Sequence, residues 1–286
     1  MTRGAWLAAL GVALVVLPWI AGEFYVNLTS QVLIAAIFAA SINLLLGYGG
    51  LPTLGHAAYV GIAAYVSAWL FLKFGFGHWL TAPLALAATT LMACFFGLIA
   101  LRATGLGFLM LTLALSQVLW GTAYRWVSVT DGDNGLRGLT RPAPFGINLD
   151  DSTAFYYLAL IVTAVSIWLM ARFVASPFGA ALRGTRDQPR RMAALGHNVG
   201  LIRWVTFVYA GFWGAVSGLL FVYYHKYIHP ISLSLQSSAE GLLAVIAGGS
   251  GTLAGPIVGA VIVVFMPDGL VPGLRRWRAA WKARAN

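Results

Sequence analysis

Eight predominantly apolar stretches, near residues 5–21, 31–48, 54–72, 80–100, 105–126, 153–172, 204–224 and 238–266, recur along the chain. A bilayer core of ~30 Å takes about 20 apolar residues per helix. Lipid offers no partner to backbone N–H and C=O groups, so an open sheet cannot cross it and a helix can. The reading is an all-α integral membrane protein. It is a polytopic helical bundle of about eight membrane-spanning helices, and more if some are short and broken. Composition agrees: 60% hydrophobic residues, 9% charged residues and 33 glycines exclude an ordinary soluble domain. Residues 1–22 place Arg3 before an apolar stretch, as a secretory signal does, but no small-x-small cleavage site follows. A first membrane helix is expected instead, in a single domain over 1–286.

The net charge of +10 sits in short blocks, which argues for loops beside a membrane and against nucleic acid. The eight spans put Arg3, Arg102, Arg172, Arg183, Arg186, Arg190, Arg191, Arg203, Arg275, Arg276, Arg278, Lys282 and Arg284 on one side. Lys73, Arg125, Arg137, Arg141 and Lys226 fall on the other. Thirteen against five predicts that both termini are cytoplasmic. The single Cys94 excludes an intrachain disulfide.

Residues 127–152 are then an external loop, with four aspartates and with Pro142 and Pro144. Its "DGDNG" is no calcium loop, because Pro142 stands where the bidentate Glu belongs. The tail 274–286 carries Trp277 and Trp281 among arginines. It fits an interfacial helix on anionic lipid, or simply a basic stop after the last span.

Two Gly-rich interruptions break apolar runs: "GYGGLPTLG" at 47–55 and "GGSGTLAGP" at 248–256. Gly49, Gly50, Thr53 and Leu54 align with Gly248, Gly249, Thr252 and Leu253, an internal pseudo-repeat. Paired breaks in two halves of a transporter point to its pathway. The alternative is close helix approach, which the spacings Gly214/Gly218 and Gly251/Gly255/Gly259 also serve. His56 follows the first break and either lines the pathway or packs between helices. Glu240 is the one acid near a span interior, where ionisable groups are costly.

Several chemistries lack their residues. There is no G-x-x-x-x-G-K-[ST], so no ATP-binding loop, and no H-E-x-x-H. His225 and His229 lack a third ligand for a metal. No catalytic residue, cofactor or metal is expected. One buried carboxylate is too few for an ion-driven carrier, so energy for active transport would come from another chain.

"SPFGAALRGTRDQPRRMAALGHNVG" (176–200) cannot cross the membrane, since arginines at a helix centre cost ~2.5–3.5 kcal/mol each. Pro189 suits the start of a second helix and Gly196 the position past its end. Two short helices with basic and apolar faces, or a solvated loop, satisfy the pattern.

Four landmarks in order, "NLLLGYGGLPTLGHAAYVGIAAY" (43–65), "TDGDNGLRGL" (130–139), "SPFGAALRGTRDQPRRMAALGHNV" (176–199) and "SAEGLLAVIAGGSGTLAGPIVGA" (238–260), resemble the permease subunits of ABC importers for branched-chain amino acids. The resemblance implies a bacterial inner-membrane permease subunit that moves branched-chain or other hydrophobic amino acids. Its partners would be ATP-binding subunits, a sister permease in a heterodimer, an external substrate-binding protein and membrane lipid. It implies that the loop over 173–203 is the coupling element that docks on the ATPase, through Arg183, Arg186, Arg190, Arg191, Ala194, Leu195 and Gly196. The pathway candidates are Gly49, Gly50, Thr53, His56, Glu240, Gly248, Gly249 and Thr252. The chain departs from the family where Ala193 and Ala194 replace an acidic neighbourhood and where Pro267, Gly269 and Leu270 follow the last apolar run almost at once. Permeases for urea and short amides share the family's pattern. A stand-alone carrier or channel is the rival of another class.

Overall fold

The structure, a computed structural model, describes residues 3–143 and 149–265. The tail 274–286 and Pro144 lie outside them. The described residues form α1 (Arg3–Ile20), α2 (Glu23–Asn43, prolonged by a π turn over Leu44–Tyr48), α3 (Ala57–Phe74), α4 (His78–Ala100), α5 (Leu106–Arg125), the short α6 (Val127–Thr130), α7 (Ser152–Ala175), α8 (Pro177–Asp187), α9 (Pro189–Ala194), α10 (Val199–His225), α11 (Leu235–Gly248) and α12 (Ala254–Phe265). Prolonged α2, α3, α4, α5, α7 and α10 are long and apolar enough to cross a bilayer, and Gly11–Ile20 and Ala254–Phe265 are shorter apolar helices. The chain is an all-α, multi-pass membrane protein.

Burial ranks the helices. In its apolar stretch α2 is 78% buried and α10 is 67% buried, against 28% for α4, 22% for α5 and 28% for α7. The first two are therefore central. The others turn side chains such as Leu91, Leu98, Val118, Ile161 and Trp168 outward, as a lipid-facing surface requires. Small residues allow the central contacts. A side chain at Gly218 would come within 2.8 Å of Val60 Cα on α3, and one at Gly211 within 2.7 Å of Ala93 on α4. Without a hydrophobic drive between helices in lipid, such backbone approach supplies the packing.

The bundle has two distinct ends. At one, the loop between α5 and α7 folds onto the end of α10. Leu136 and Arg137 (β1) pair antiparallel with Ile228 and Tyr227 (β2). Arg141 donates to the carbonyls of Tyr223 (3.1 Å), Tyr224 (3.2 Å) and Leu149 (2.9 Å). These contacts hold the described parts of the loop, which ends where Asp151 caps α7. At the other end α8 and α9 form the helical pair, confined to 176–198 because α7 runs to Ala175 and α10 starts at Val199. Ser176 accepts from the Gly179 amide, Pro177 and Pro189 begin the two helices, and Gly196 follows with φ +87°.

The run at 238–266 departs from a continuous span. It is two helices folded against each other: Gly248 abuts Gly255 and Gly259, while Gly259 abuts Ala244, an antiparallel pairing. A hairpin returns toward the end it came from. The even number of crossings therefore no longer carries the side expected for the carboxyl terminus. The break falls at Gly249, whose φ of +95° suits glycine alone.

Candidate translocation site

The pathway candidates occupy three places. The first is the arginine-rich end, where the two glycine breaks meet. A side chain at Gly47 would run into the Gly251 backbone, and Gly251 itself has φ +85°, which favours glycine. From the turn before it, Asn43 holds the hairpin tip: its Oδ1 accepts from the Gly251 amide (3.0 Å) and its Nδ2 donates to the Thr252 carbonyl (2.9 Å). The two breaks have features in common. Gly50 (φ +65°) and Gly249 (φ +95°) each follow a helix end. Thr53 accepts from the Gly55 amide and Thr252 from the Gly255 amide, each just before the next helix. Gly49 is buried, and Gly248 ends α11.

The arginine-rich loop reaches this cluster directly. Arg186 Nη1 donates to the Gly47 carbonyl, and its aliphatic stem covers Gly50, where a side chain would meet Arg186 Cγ at 2.6 Å. Arg183 donates to the Val174 carbonyl (2.9 Å). These two arginines hold the loop to its own bundle. Arg190, Arg191, Ala194, Leu195 and Gly196 are exposed instead, with Leu195 67% accessible.

The second place is the core. His56 is fully buried, with Nε2 2.9 Å from Ser41 Oγ and its ring against Tyr59 and Phe38. His56 is thus packed between α2 and α3.

The third place is a cavity of ≈ 320 Å³ between α2, α3, α10 and the hairpin, and Glu240 lines it. Its walls are Ile34, Ala35, Phe38, Val60, Phe221, Ala244, Val263 and Val264, with Gln31, Ser217, His225 and Ser237 as polar points. Ser217 and Ser237 are used internally, donating to the carbonyls of Ile34 and Ile231. Glu240 accepts from Gln236 (3.1 Å), and no Lys or Arg is in the lining. Sequence reasoning singled out Glu240, which lines this cavity, but not the cavity's other walls or Asn43. The signal for Asn43 was a lone amide inside an apolar run.

At the opposite end a hydrogen bond from Lys226 Nζ (2.6 Å) holds the Asp150 carboxyl below its usual range. Burial pulls the Arg141 pKa down, against the charge of Asp150. His229 Nδ1 accepts from the Ile231 amide, and His225 Nδ1 lies on the Phe221 carbonyl. No group of three His, Cys, Asp or Glu fit to hold a metal occurs among the described residues.

A membrane-embedded bundle with a folded-back helical hairpin, an apolar cavity and a structured basic loop defines a permease-type protein. The profile of the family described as branched-chain amino acid transport system / permease component matches residues 24–280, and the chain belongs to that family. The chain is similar to the high-affinity branched-chain amino acid transport system permease protein LivM of Salmonella typhimurium and to that of Escherichia coli. Each is 25% identical over 281 residues, covering 90% of this chain and 66% of the relative. The chain thus spans just under two thirds of the length of these relatives. No solved structure matches.

Proposed function

We propose that the chain is the transmembrane permease subunit of an ATP-driven importer, carrying branched-chain or other small hydrophobic amino acids across the bacterial inner membrane. The observation that carries the reading is the loop 176–198. It is a folded helical pair tied inward by Arg183 and Arg186, and it presents Arg190, Arg191, Ala194, Leu195 and Gly196 outward. A structured basic and apolar surface beside a membrane suits docking, with complementary charge on the partner fixing register. That partner is an ATP-binding subunit, since this chain lacks an ATP-binding loop. A sister permease and an external substrate-binding protein complete the assembly. The arginine-rich end faces the cytoplasm under the Lys/Arg rule, as does the amino terminus; for the carboxyl terminus that placement rests on the tail's basic residues alone.

The cavity supports an amino-acid cargo. Its volume falls at the small end of ligand sites, roughly 300–1,000 Å³. Its walls are mostly apolar, and Glu240 lines it with no Lys or Arg beside it. Glu240 is exposed and lines the cavity, where the ammonium group of an amino acid would make a charge-assisted hydrogen bond with it.

Uptake of labelled leucine, urea and acetamide by cells expressing the complete system, with and without this chain, tests the reading. Chain-dependent, ATP-dependent leucine uptake is expected. Uptake of the amides instead would move the cargo to that class, and uptake without ATP would replace the importer with a carrier or channel.

A further inference from the structure

Asn43 is fully buried, yet it reaches neither the cavity nor the helical pair; both ends of its amide are spent on the hairpin tip. We infer that Asn43 is a positioning residue for translocation: it latches the tip of the α11–α12 hairpin to α2, and Arg186 joins that latch to the arginine-rich loop. The inference rests on the reading of the chain as an ATP-driven permease.

Three contacts make one path. Residues between α11 and α12 have no helix to satisfy their backbone, which at membrane depth needs protein partners. Asn43 supplies a donor and an acceptor to two successive residues there, Gly251 and Thr252, from the two separate heavy atoms of its amide. One turn along α2, Gly47 lies against Gly251 and receives Arg186 on its carbonyl. Motion of α8 relative to α2 thus acts where the hairpin tip is held. The hairpin's shanks are walls of the cavity, through Glu240 and Ala244 on α11 and Val263 on α12. The shanks are short, 14 and 12 residues, and meet α2 through Gly241 on Phe38 and Ile42. Hydrogen bonds between helices in membranes are individually weak, so two of them make a reversible latch and not a permanent strut.

Asn43→Leu keeps the side chain's size and removes both bonds. Arg186→Gln, at the surface, removes the Gly47 contact with less risk to folding. In the complete reconstituted complex, uptake per ATP hydrolysed should fall about tenfold in each variant while hydrolysis continues. The double variant should be no worse than either single, as expected of residues on one path. In the purified chain, hydrogen exchange at residues 249–253 should rise about tenfold in Asn43→Leu, matching the loss of two weak bonds. Uptake and hydrolysis falling in parallel in Arg186→Gln, or effects that multiply in the double variant, would overturn the latch. So would unchanged exchange at 249–253. Should Asn43→Leu not assemble, Arg186→Gln decides by its uptake-to-hydrolysis ratio. Absence of ATP-driven uptake in the wild-type complex would instead overturn the importer reading, and the latch with it.

Discussion

Arg186 donates to the carbonyl of Gly47 across 139 positions of sequence, and the segment it grips is one of the two glycine breaks. The arginine looks solvent-seeking in the sequence. In the fold it is divided: its head bonds the backbone, its Nε pairs with Asp187 at 2.8 Å, and its stem lies over Gly50. Long cationic side chains do this where a charged end stays wet and methylenes cover the backbone.

The exposed half of the same loop gives the first prediction. Reversing Arg190 and Arg191 to Glu should leave membrane insertion intact. The change should abolish co-purification with the ATP-binding subunit, because like charges across an interface cost several kcal/mol. Pull-down from membranes of the double variant checks this; full retention would mean that this face is only solvated.

Glu240→Gln keeps the shape of the cavity wall and removes its charge. Leucine uptake should drop about tenfold or more with the complex still assembled, as expected when a charge-assisted contact is lost. Uptake at the wild-type rate would return Glu240 to a wet surface residue with no part in recognition.

Sidedness is checked by thiol labelling in a Cys94→Ala background. A cysteine at Leu195 should react with an impermeant reagent only from the cytoplasm, and one at Asn134 only from outside. Reaction of both from one side would break the Lys/Arg argument.

The Asp150–Lys226 pair should make the folded loop acid-sensitive. A carboxylate whose folded pKa is lowered adds stability that is fully present above its unfolded value, about 3.9. That contribution is lost as pH falls from there through the lowered folded value. Limited proteolysis of residues 127–152 should therefore accelerate in that acid window in the wild type. In Lys226→Met the acid step should shrink; an identical step in both would assign it elsewhere.

Much of this was legible in the sequence, for reasons that can be named. Apolar runs fix the long helices because lipid leaves the backbone no other choice. Pro189 and Gly196 mark the two ends of the second short helix, each through its own backbone restriction. The hairpin was not legible, because 238–266 has the length and composition of one span and its glycines fit a straight or a folded helix equally. Whether His56 packs or faces a pathway depends on Ser41, Tyr59 and Gly214 around it, contacts between helices that periodicity does not encode. Asn43 gains its meaning only from Gly251 and Thr252, some 208 positions away.

The hairpin also bears on how the chain is made. An apolar run of this length, leaving the ribosome, satisfies the insertion machinery as one straight segment. Over the described residues its folded form has shanks of about 21 and 18 Å, each shorter than a bilayer core of ~30 Å. What favours folding back is a tip whose exposed amide and carbonyl already have a receptor waiting, because α2 was synthesised long before. On this reading α2 templates the folding of the hairpin through Asn43. A defect at Asn43 would surface first as a protein inserted in two forms, one with this segment folded back and one with it straight.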